Sequence, residues 1–340
     1  MTTSAPTILR VSASLFCLTV LGALGAGCTA STDDPPAEAE ASEDALTARE
    51  GYAKLPPLNG DVYVSVAVSG KKAFLGDNFR TLRVYDLATR KITKTYGERI
   101  PTDSLSVSGN TLAVCGERQV DSDRPSGDIF GSTDSHFEIN LLDAKTLAKK
   151  RTVSLNLEPY LSTLRDQIRD KPNLRCRIDG STITVSFSQQ KLKHEVVSFP
   201  VPSADAVYDF RTIPGATRIA VTPSAGTREG TVSSFTTSAA GLTLASGGWG
   251  IRRLAPNARS LTSLRDVGRE HIVDVAASGA ALFAADHDGA LLVLDDATGR
   301  ELARVEIPDW VEGLAMADGY VVVIGREGIF VQKDTWSRAR

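Results

Sequence analysis

The chain has 340 residues, 42% of them hydrophobic, which is enough to bury the core of one large domain or two smaller ones. Its formal net charge of −3 is unevenly distributed, because residues 1–50 hold seven of the 41 acids but two of the 38 basic residues. The near-neutral remainder argues against nucleic acid as a partner, since neutralising phosphates requires a clustered excess of Lys and Arg.

The N-terminal segment has the layout of an export signal. Residues 1–10 contain no acid and include Arg10, and Val11–Leu24 is an apolar run too short to span a hydrocarbon core, which needs about 20 residues. Three small residues, Gly25–Gly27, follow and lead directly into Cys28. This pattern predicts a cleaved signal peptide over residues 1–27.

The run LGALGAGC, Leu21–Cys28, resembles the signal of bacterial lipoproteins, in which small residues precede an invariant cysteine. The resemblance implies cleavage between Gly27 and Cys28, a diacylglycerol on the Cys28 thiol, and acylation of the new amine by a fatty acid such as palmitate. That family prefers Leu three residues before the cysteine, where this chain has Gly25, so an ordinary secretory signal and an uncleaved anchor are the alternatives. Thr29, rather than an Asp, after the cysteine favours the outer over the inner membrane of the cell envelope.

The segment after the cysteine is expected to be a disordered tether. Residues 29–50 contain few large apolar side chains, two prolines and a run of acids, so they bury too little surface to offset their ordering entropy. A flexible chain of this length has a root-mean-square reach of about 26 Å. The predicted organisation is therefore a signal peptide over 1–27, a lipidated cysteine and tether over 28–50, and a folded domain over 51–340.

The folded domain consists of short strands separated by turns. The clearest unit is Ile272–Ile307, IVDVAASGAALFAADHDGALLVLDDATGRELARVEI, in which four strand patterns alternate with turns at Ser278-Gly279, Asp286–Gly289 and Asp295–Arg300. Tight turns between successive strands predict an antiparallel meander.

The same unit recurs at intervals of about 40 residues where no insertion interrupts it, which is typical of a β-propeller. The first strands begin near Val62, Asp103, Leu174, Val232, His271 and Glu312. The sequence predicts an all-β propeller of four-stranded antiparallel blades, six in number, or seven if Ala206–Pro223 forms its own. The last unit has three strands, and Ala53–Val62 is expected to supply the fourth and close the ring.

Two insertions interrupt the repeats. Glu117–His136 is polar and is expected to form a loop between two strands of the second blade. Asn156–Arg175 has apolar residues at helical spacing, with Pro159 in the first turn and Pro172 as a stop, which predicts one short amphipathic helix. This helix would either cap the propeller core or dock a partner.

The stretch DGALLVLDDATGRELARV, Asp288–Val305, resembles the repeats of quinoprotein-like and YVTN-type bacterial propellers. Weaker copies are RVYDLATRKI (Arg83–Ile92) and LLDAKTLAKK (Leu141–Lys150). The resemblance implies the fold alone, because quinoprotein repeats carry a Trp after the Thr-Gly turn where this chain has Ala303. No quinone and no other cofactor is expected.

The cysteines predict one disulfide. Cys17 would leave with the signal and Cys28 would be lipidated, so the domain would keep Cys115 and Cys176. An exported chain meets an oxidising compartment, which favours a Cys115–Cys176 disulfide, with two buried free thiols as the alternative.

The sequence contains no recognised motif for catalysis or metal binding. The histidines lack metal-binding spacing, and Asp286, His287 and Asp288 are weak metal candidates because Asp and Gly are also ordinary hairpin-turn residues. No metal ligand and no catalytic residue is assigned. The polar residues that follow inner strands, and that could face the centre of the ring, are Asp77, Asp103, Glu117 and Arg118.

These observations favour a membrane-anchored, exported propeller that acts as a binding or scaffolding module in the cell envelope. Its expected partners are the lipid bilayer, through acylated Cys28, and a protein or envelope polymer; a monomer is expected. The alternatives are a propeller hydrolase or lyase with an active site in the central funnel, and an accessory lipoprotein of outer-membrane assembly, a role that would rest on similarity of fold and anchor alone.

Overall fold

The computed structural model describes residues 52–54, 62–118, 136–157, 159, 173–188, 194–221, 231–246, 248, 250–256, 258, 261–266, 271–317 and 319–334. These residues contain 25 strands in six sheets that succeed one another along the chain. The predicted six-bladed β-propeller is therefore confirmed. Among the described residues, no helix is long and apolar enough to cross a membrane.

In each blade the strands succeed one another from the innermost to the outermost. The exception is β1 (Tyr52–Lys54), which comes first in the chain and belongs to the last blade. The first blade consists of β2 (Tyr63–Ser69), β3 (Lys72–Asp77), β4 (Leu82–Asp86) and β5 (Lys91–Thr95). The second consists of β6 (Ser104–Ser108), β7 (Thr111–Arg118), β8 (His136–Asp143) and β9 (Lys149–Asn156). The third consists of β10 (Asn173–Asp179), β11 (Thr182–Ser188), β12 (His194–Pro200) and, after the separate strand β13 (Ala206–Asp209), β14 (Thr217–Val221).

The remaining three blades follow the same order. The fourth consists of β15 (Ser234–Ser238), β16 (Gly241–Ser246), β17 (Gly250–Leu254) and β18 (Thr262–Arg265). The fifth consists of β19 (Ile272–Ser278), β20 (Ala281–Asp286), β21 (Ala290–Asp295) and β22 (Glu301–Glu306). The sixth consists of β23 (Val311–Ala317), β24 (Tyr320–Gly325), β25 (Gly328–Lys333) and β1.

The middle strands of a blade are buried because neighbouring blades cover both faces of the sheet. In the fifth blade every residue of β20 and β21 is buried, whereas the outermost strand β22 has no buried residue. Strands covered on both faces are continuous apolar runs in the sequence, as in ALLVLD of β21. The apolar clusters accordingly lie between blades, and one contains Phe137 of the second blade with Phe187 of the third.

The ring is closed by the start of the chain. β1 pairs antiparallel with β25, with Tyr52 opposite Phe330 and Lys54 opposite Gly328. The predicted closure is thus present: Ala53 and Lys54 of the expected segment Ala53–Val62 lie in the closing strand, and residues 55–61 lie outside the described residues. Closure gives β25 a partner, and β1 becomes the outermost strand of the last blade.

Residues 206–221 do not form a seventh blade. β13 pairs in parallel with β9 and becomes a fifth strand of the second blade, whereas β14 pairs with β12 and completes the third. The chain therefore crosses to the second blade and returns, which links the outer edges of the two blades.

The connections between strands lie on two opposite faces of the propeller. One face, here called the loop face, carries the connections between blades and those between the second and third strands of a blade; His287 N–H donates to His271 O across it (2.9 Å). The opposite turn face carries the remaining hairpins, where Leu87 N–H donates to Lys71 O (2.8 Å).

A repeated Asp-x-x-Thr turn joins the third and fourth strands of three blades. Oδ1 of Asp86, Asp143 and Asp295 accepts hydrogen bonds from the backbone N–H of the Thr three residues later, at 2.7, 2.9 and 2.9 Å. The Thr hydroxyl donates to the same oxygen in each turn. These bonds to the ionised carboxylate lower the pKa of Asp86 and of Asp143 from their usual value.

The second and third blades are joined along their innermost strands. Oγ of Ser104, Ser106 and Ser108 accepts hydrogen bonds from the backbone N–H of Cys176, Ile178 and Gly180, at 2.9, 3.1 and 2.8 Å. A disulfide joins Cys115 to Cys176 in the same region, with a Cα–Cα distance of 6.2 Å, as the sequence predicted. The free-thiol alternative is thus not the arrangement in the structure.

Several predicted features lie outside the described residues. They include the signal peptide with Gly27 and Cys28, the tether, most of the polar loop and most of the predicted helix. The ends of the helical segment are described, and there Asn156 ends β9 and Asn173 begins β10. The predicted insertion 156–175 is therefore too long by one residue at its N-terminal end and by three at its C-terminal end, and β10 begins directly after Pro172, the predicted helix stop.

We predict that Asp143→Asn removes part of the acid sensitivity of folding. The lowered pKa means that Asp143 stabilises the fold above its unfolded pKa of about 3.9, and that this contribution is lost as the pH falls further. The difference in unfolding free energy between wild type and Asp143→Asn should therefore shrink between about pH 5 and pH 2 in urea titrations. Thr146→Val removes the hydroxyl donor to Asp143, so the difference in unfolding free energy between wild type and Thr146→Val should follow the same pH dependence with a smaller magnitude. Parallel pH curves for wild type and Asp143→Asn would contradict the prediction.

Candidate functional site

The loop face collects side chains that are far apart in the sequence. All four histidines lie on it: His136 and His194 begin the third strands of their blades, His271 precedes β19, and His287 lies between β20 and β21. Trp310 lies there too, between β22 and β23, at the junction of the fifth and sixth blades. The loop face therefore carries the candidate site.

An aromatic cluster of five residues, His271, His287, Trp310, Glu312 and Arg326, lies at this junction. The ring centroids of His271 and His287 are 5.5 Å apart, and those of His287 and Trp310 are 5.3 Å apart. Cζ of Arg326 lies 4.1 Å from the Trp310 ring centroid, and Arg326 Nε donates to Glu312 Oε1 at 3.0 Å. Glu312 thus orients the guanidinium on the indole, a favourable cation–π arrangement.

Backbone hydrogen bonds hold this cluster in place. His287 O accepts from Val311 N–H (3.1 Å), and Trp310 O accepts from Arg326 N–H (3.1 Å). The carboxylate of Asp309 accepts from Trp310 N–H (2.7 Å) and from Glu327 N–H (2.8 Å). Trp310 is therefore ordered by its backbone while 54% of the residue remains exposed.

A second exposed aromatic residue lies on the loop face of the neighbouring first blade. Phe79 is 51% exposed and follows Asp77, whose Oδ1 accepts hydrogen bonds from Phe79 N–H (3.0 Å) and Thr81 N–H (2.8 Å). Asp77 is buried, so this carboxylate shapes the turn that presents Phe79. Trp310 and Phe79 give the face two ordered apolar contact points on adjacent blades.

The candidate metal residues form a turn. Asp286 is buried, and its Oδ1 accepts hydrogen bonds from His271 N–H (2.8 Å) and Asp288 N–H (3.4 Å). His287 packs on Trp310, and its Nδ1 lies 3.8 Å from Asp288 Oδ1. Within the described part of the chain, no group of three or more His, Cys, Asp or Glu side chains is arranged to hold a metal ion.

The innermost strands enclose a central cavity of about 150 Å³. Its charged lining residues are Asp103, Arg175, Arg177, Asp274 and Glu312. Each of them has a partner: Arg175 donates to Asp103 O, Asp103 Oδ2 accepts from Glu117 N–H, and Glu312 holds Arg326.

Arg177 crosses the cavity from the third blade to the fifth. Its Nη2 donates to Val275 O at 2.8 Å and lies 3.7 Å from Asp274 Oδ1, while its Cζ lies 5.7 Å from the Phe235 ring centroid of the fourth blade. Burial lowers the pKa of Arg177, and the charge of Asp274 opposes that shift. An arginine keeps its proton in such a site, so Arg177 carries a positive charge in the cavity.

The Asp274 side chain of the fifth blade contacts residues of three other blades. Its Oδ1 accepts from Ser234 Oγ of the fourth blade, and its Oδ2 accepts from Leu314 N–H of the sixth (2.8 Å). Together with Arg177 these contacts tie four of the innermost strands across the ring. The Asp274 carboxylate therefore has a structural role, because it joins these strands.

Among the inner-strand candidates from the sequence, Asp103, Glu117 and Arg118 lie together at the loop face of the second blade. Arg118 Nε is 3.5 Å from Glu138 Oε1, which makes it an exposed ion pair. The sequence did not single out Arg177, Asp274 or Arg326. An available signal was Asp274, a charged residue inside the otherwise apolar strand pattern IVDVAAS.

We predict that Arg177→Met destabilises the propeller by about 2 kcal/mol, because it leaves the Asp274 carboxylate without its counter-charge in the cavity. Urea denaturation should show a smaller loss for Arg177→Met/Asp274→Asn than the sum of the two single losses, which is the mark of a direct interaction. Additive losses would show that the two side chains do not interact in solution.

No protein-family model matches this chain, and no curated protein sequence matches it. The resemblance to quinoprotein-like and YVTN-type repeats therefore stays a prediction. Two solved structures share the fold. The WD40 repeats of RRP9 align with a TM-score of 0.55 at 9% identity, covering 83% of this chain and 97% of that one. U3-55K aligns with a TM-score of 0.54 at 10% identity, covering 83% and 98%. At these identities the likeness establishes the fold alone: the chain is a six-bladed β-propeller, similar in fold to these WD40 repeats.

Proposed function

We propose that this chain is an exported, lipid-anchored propeller that binds a protein partner through its loop face in the cell envelope. The observation that carries the proposal is Trp310, an exposed indole held between Arg326 and His287. Trp and Arg are the residues most enriched at the energetic centres of protein interfaces.

The order of the Trp310 side chain supports this role. Binding costs entropy for every side chain that becomes fixed in the complex, and Trp310 is already supported by the Asp309 turn and the Arg326 guanidinium. Phe79 adds a second ordered aromatic contact on the adjacent blade. A rigid surface of this kind favours recognition of a folded partner over an envelope polymer.

The cavity favours binding over catalysis. A funnel active site needs an acid or base whose protons are free to move, whereas Asp274, Asp103 and Glu312 each accept hydrogen bonds from the protein itself. The hydrolase or lyase alternative therefore has less support. The role of an accessory in outer-membrane assembly rests on fold and anchor alone.

Anchoring at Cys28 is the second part of the proposal, and its support is the signal-like sequence Leu21–Cys28. Two or more acyl chains hold a protein on a bilayer stably, whereas one chain binds only marginally. The outer membrane is the proposed location because Thr29 follows the cysteine.

We predict that a photo-crosslinking residue at position 310 captures a partner of discrete mass in intact cells. The matched control is the same residue at position 320, because Tyr320 is 38% exposed on the same blade but lies on the turn face. Trp310→Ala should change the unfolding free energy by less than about 1 kcal/mol, as expected of an exposed site. Equal adducts from both positions, or none from position 310, would count against loop-face recognition.

We also predict that protein purified from membranes has an intact mass that begins at Cys28 and includes acyl chains. Reduction should add two hydrogens, from the Cys115–Cys176 disulfide. Cys28→Ser should yield a protein without acyl chains. A mass without lipid, or one that retains residues 1–27, would overturn the proposed anchor and leave loop-face binding to be judged by the crosslinks.

A further inference from the structure

The turn face of the first and second blades carries a basic patch that the net charge conceals. The patch comprises eight side chains, seven of them exposed and Lys72 partly so: Lys71, Lys72, Arg90, Lys91, Lys94, Lys145, Lys149 and Lys150. The acids in the same described segments, 69–72, 86–94, 108–111 and 143–150, are Asp86 and Asp143. Within these segments eight positive charges face two negative ones, and a third acid, Asp205, lies beside them at the outer edge of the second blade, where it accepts from Thr152 N–H (2.7 Å).

A contact between the two blades joins these residues into one surface: Lys94 Nζ of the first blade donates to Thr146 O in the turn of the second (2.5 Å). Within the second blade, Lys150 Nζ donates to Asn110 O (2.7 Å) and lies 3.3 Å from Asp143 Oδ2. Asp86 and Asp143 have one carboxylate oxygen each held by the N–H groups of their own turns. The side chains of Lys91, Lys145 and Lys149 extend from this framework into solvent.

The direction of β1 is an independent observation that concerns the same face. β25 begins beside the Arg326-Glu327 connection on the loop face and ends on the turn face, where Asp334 N–H donates to Gly319 O (2.7 Å). Because β1 is antiparallel to β25, it runs in the direction from the turn face towards the loop face, with Lys54 opposite Gly328 and Tyr52 opposite Phe330. The N-terminal end of β1 is therefore the end directed towards the turn face.

We infer that the basic patch lies against an anionic phospholipid surface and orients the propeller with its turn face towards the membrane. The inference rests on the proposed anchor at Cys28, which lies 24 residues before Tyr52. Lys and Arg near an anionic bilayer each add to membrane attraction, and an acyl anchor combined with a basic patch holds a protein more firmly than either alone. The loop face, with Trp310, is then directed away from the lipid.

One other occupant has the right charge. Residues 33–50 of this chain contain seven acids, and they are close enough in sequence to contact the patch. The membrane is the favoured occupant because the N-terminal end of β1, which leads back in sequence to Cys28, is directed towards this same face, and anchoring raises the local concentration of lipid headgroups.

The test separates the patch from the anchor by using the Cys28→Ser chain, which has no acyl group. We expect it to co-sediment with vesicles of phosphatidylcholine containing phosphatidylglycerol, and to bind pure phosphatidylcholine far more weakly. Binding should fall as salt rises, since the screening length is about 10 Å at 0.1 M ionic strength. Lys145→Glu/Lys149→Glu should lower the affinity for anionic vesicles by about tenfold or more.

The matched control is Arg99→Glu/Arg118→Glu, which changes the net charge equally but lies on the loop-face side. It should retain most of the binding. Equal losses in the two double variants would overturn the inference, because they would show that only net charge matters. Binding that appears only after Asp33, Asp34, Glu38 and Glu40 are changed to amides would also overturn it, because the acidic segment would then cover the patch. Neither result depends on acylation, which the intact mass measures separately.

Discussion

The pairing of β1 with β25 is the constraint on which the rest of the structure depends. Each blade buries its apolar faces only against its two neighbours, so the sixth blade must be complete before the first can pack against it. Three residues from the start of the chain supply the missing strand. Once the ring is closed, the innermost strands are fixed around one axis, and Arg177 can reach Asp274 across it.

The two faces of the closed ring differ in chemistry. Hairpins on the turn face are short and shaped by Gly and by Asp-x-x-Thr turns, so their remaining positions are free to carry charge. Connections on the loop face bring residues of different blades together, as with His271, His287 and Trp310. Exposed aromatic side chains held by backbone hydrogen bonds are thus a feature of the loop face, and a cluster of basic side chains is a feature of the turn face of the first two blades.

The fold was predictable because the sequence features that specify it are local and repeated. The period of about 40 residues, the Asp-x-x-Thr turns and the apolar middle strands each recur, and each predicts the same architecture. The path of β13 was not predictable, because a strand of four residues can pair with either of two neighbouring edges. The Cys115–Cys176 pair could be anticipated because few cysteines were available for pairing.

The aromatic cluster and the basic patch could not be read from the sequence, because their members come from separate segments. Trp310 and Arg326 are distant from His271, and Lys71 is distant from Lys149, until the ring brings their turns together. A domain of nearly neutral charge can therefore hold a strongly positive surface, provided that acids elsewhere balance it. In this chain part of that balance lies on the third and fifth blades, at the exposed acids Asp179, Asp288 and Glu306, so the positive charge is separated from the negative by the topology rather than by composition. This separation gives the protein an electrostatic polarity that its net charge does not reveal.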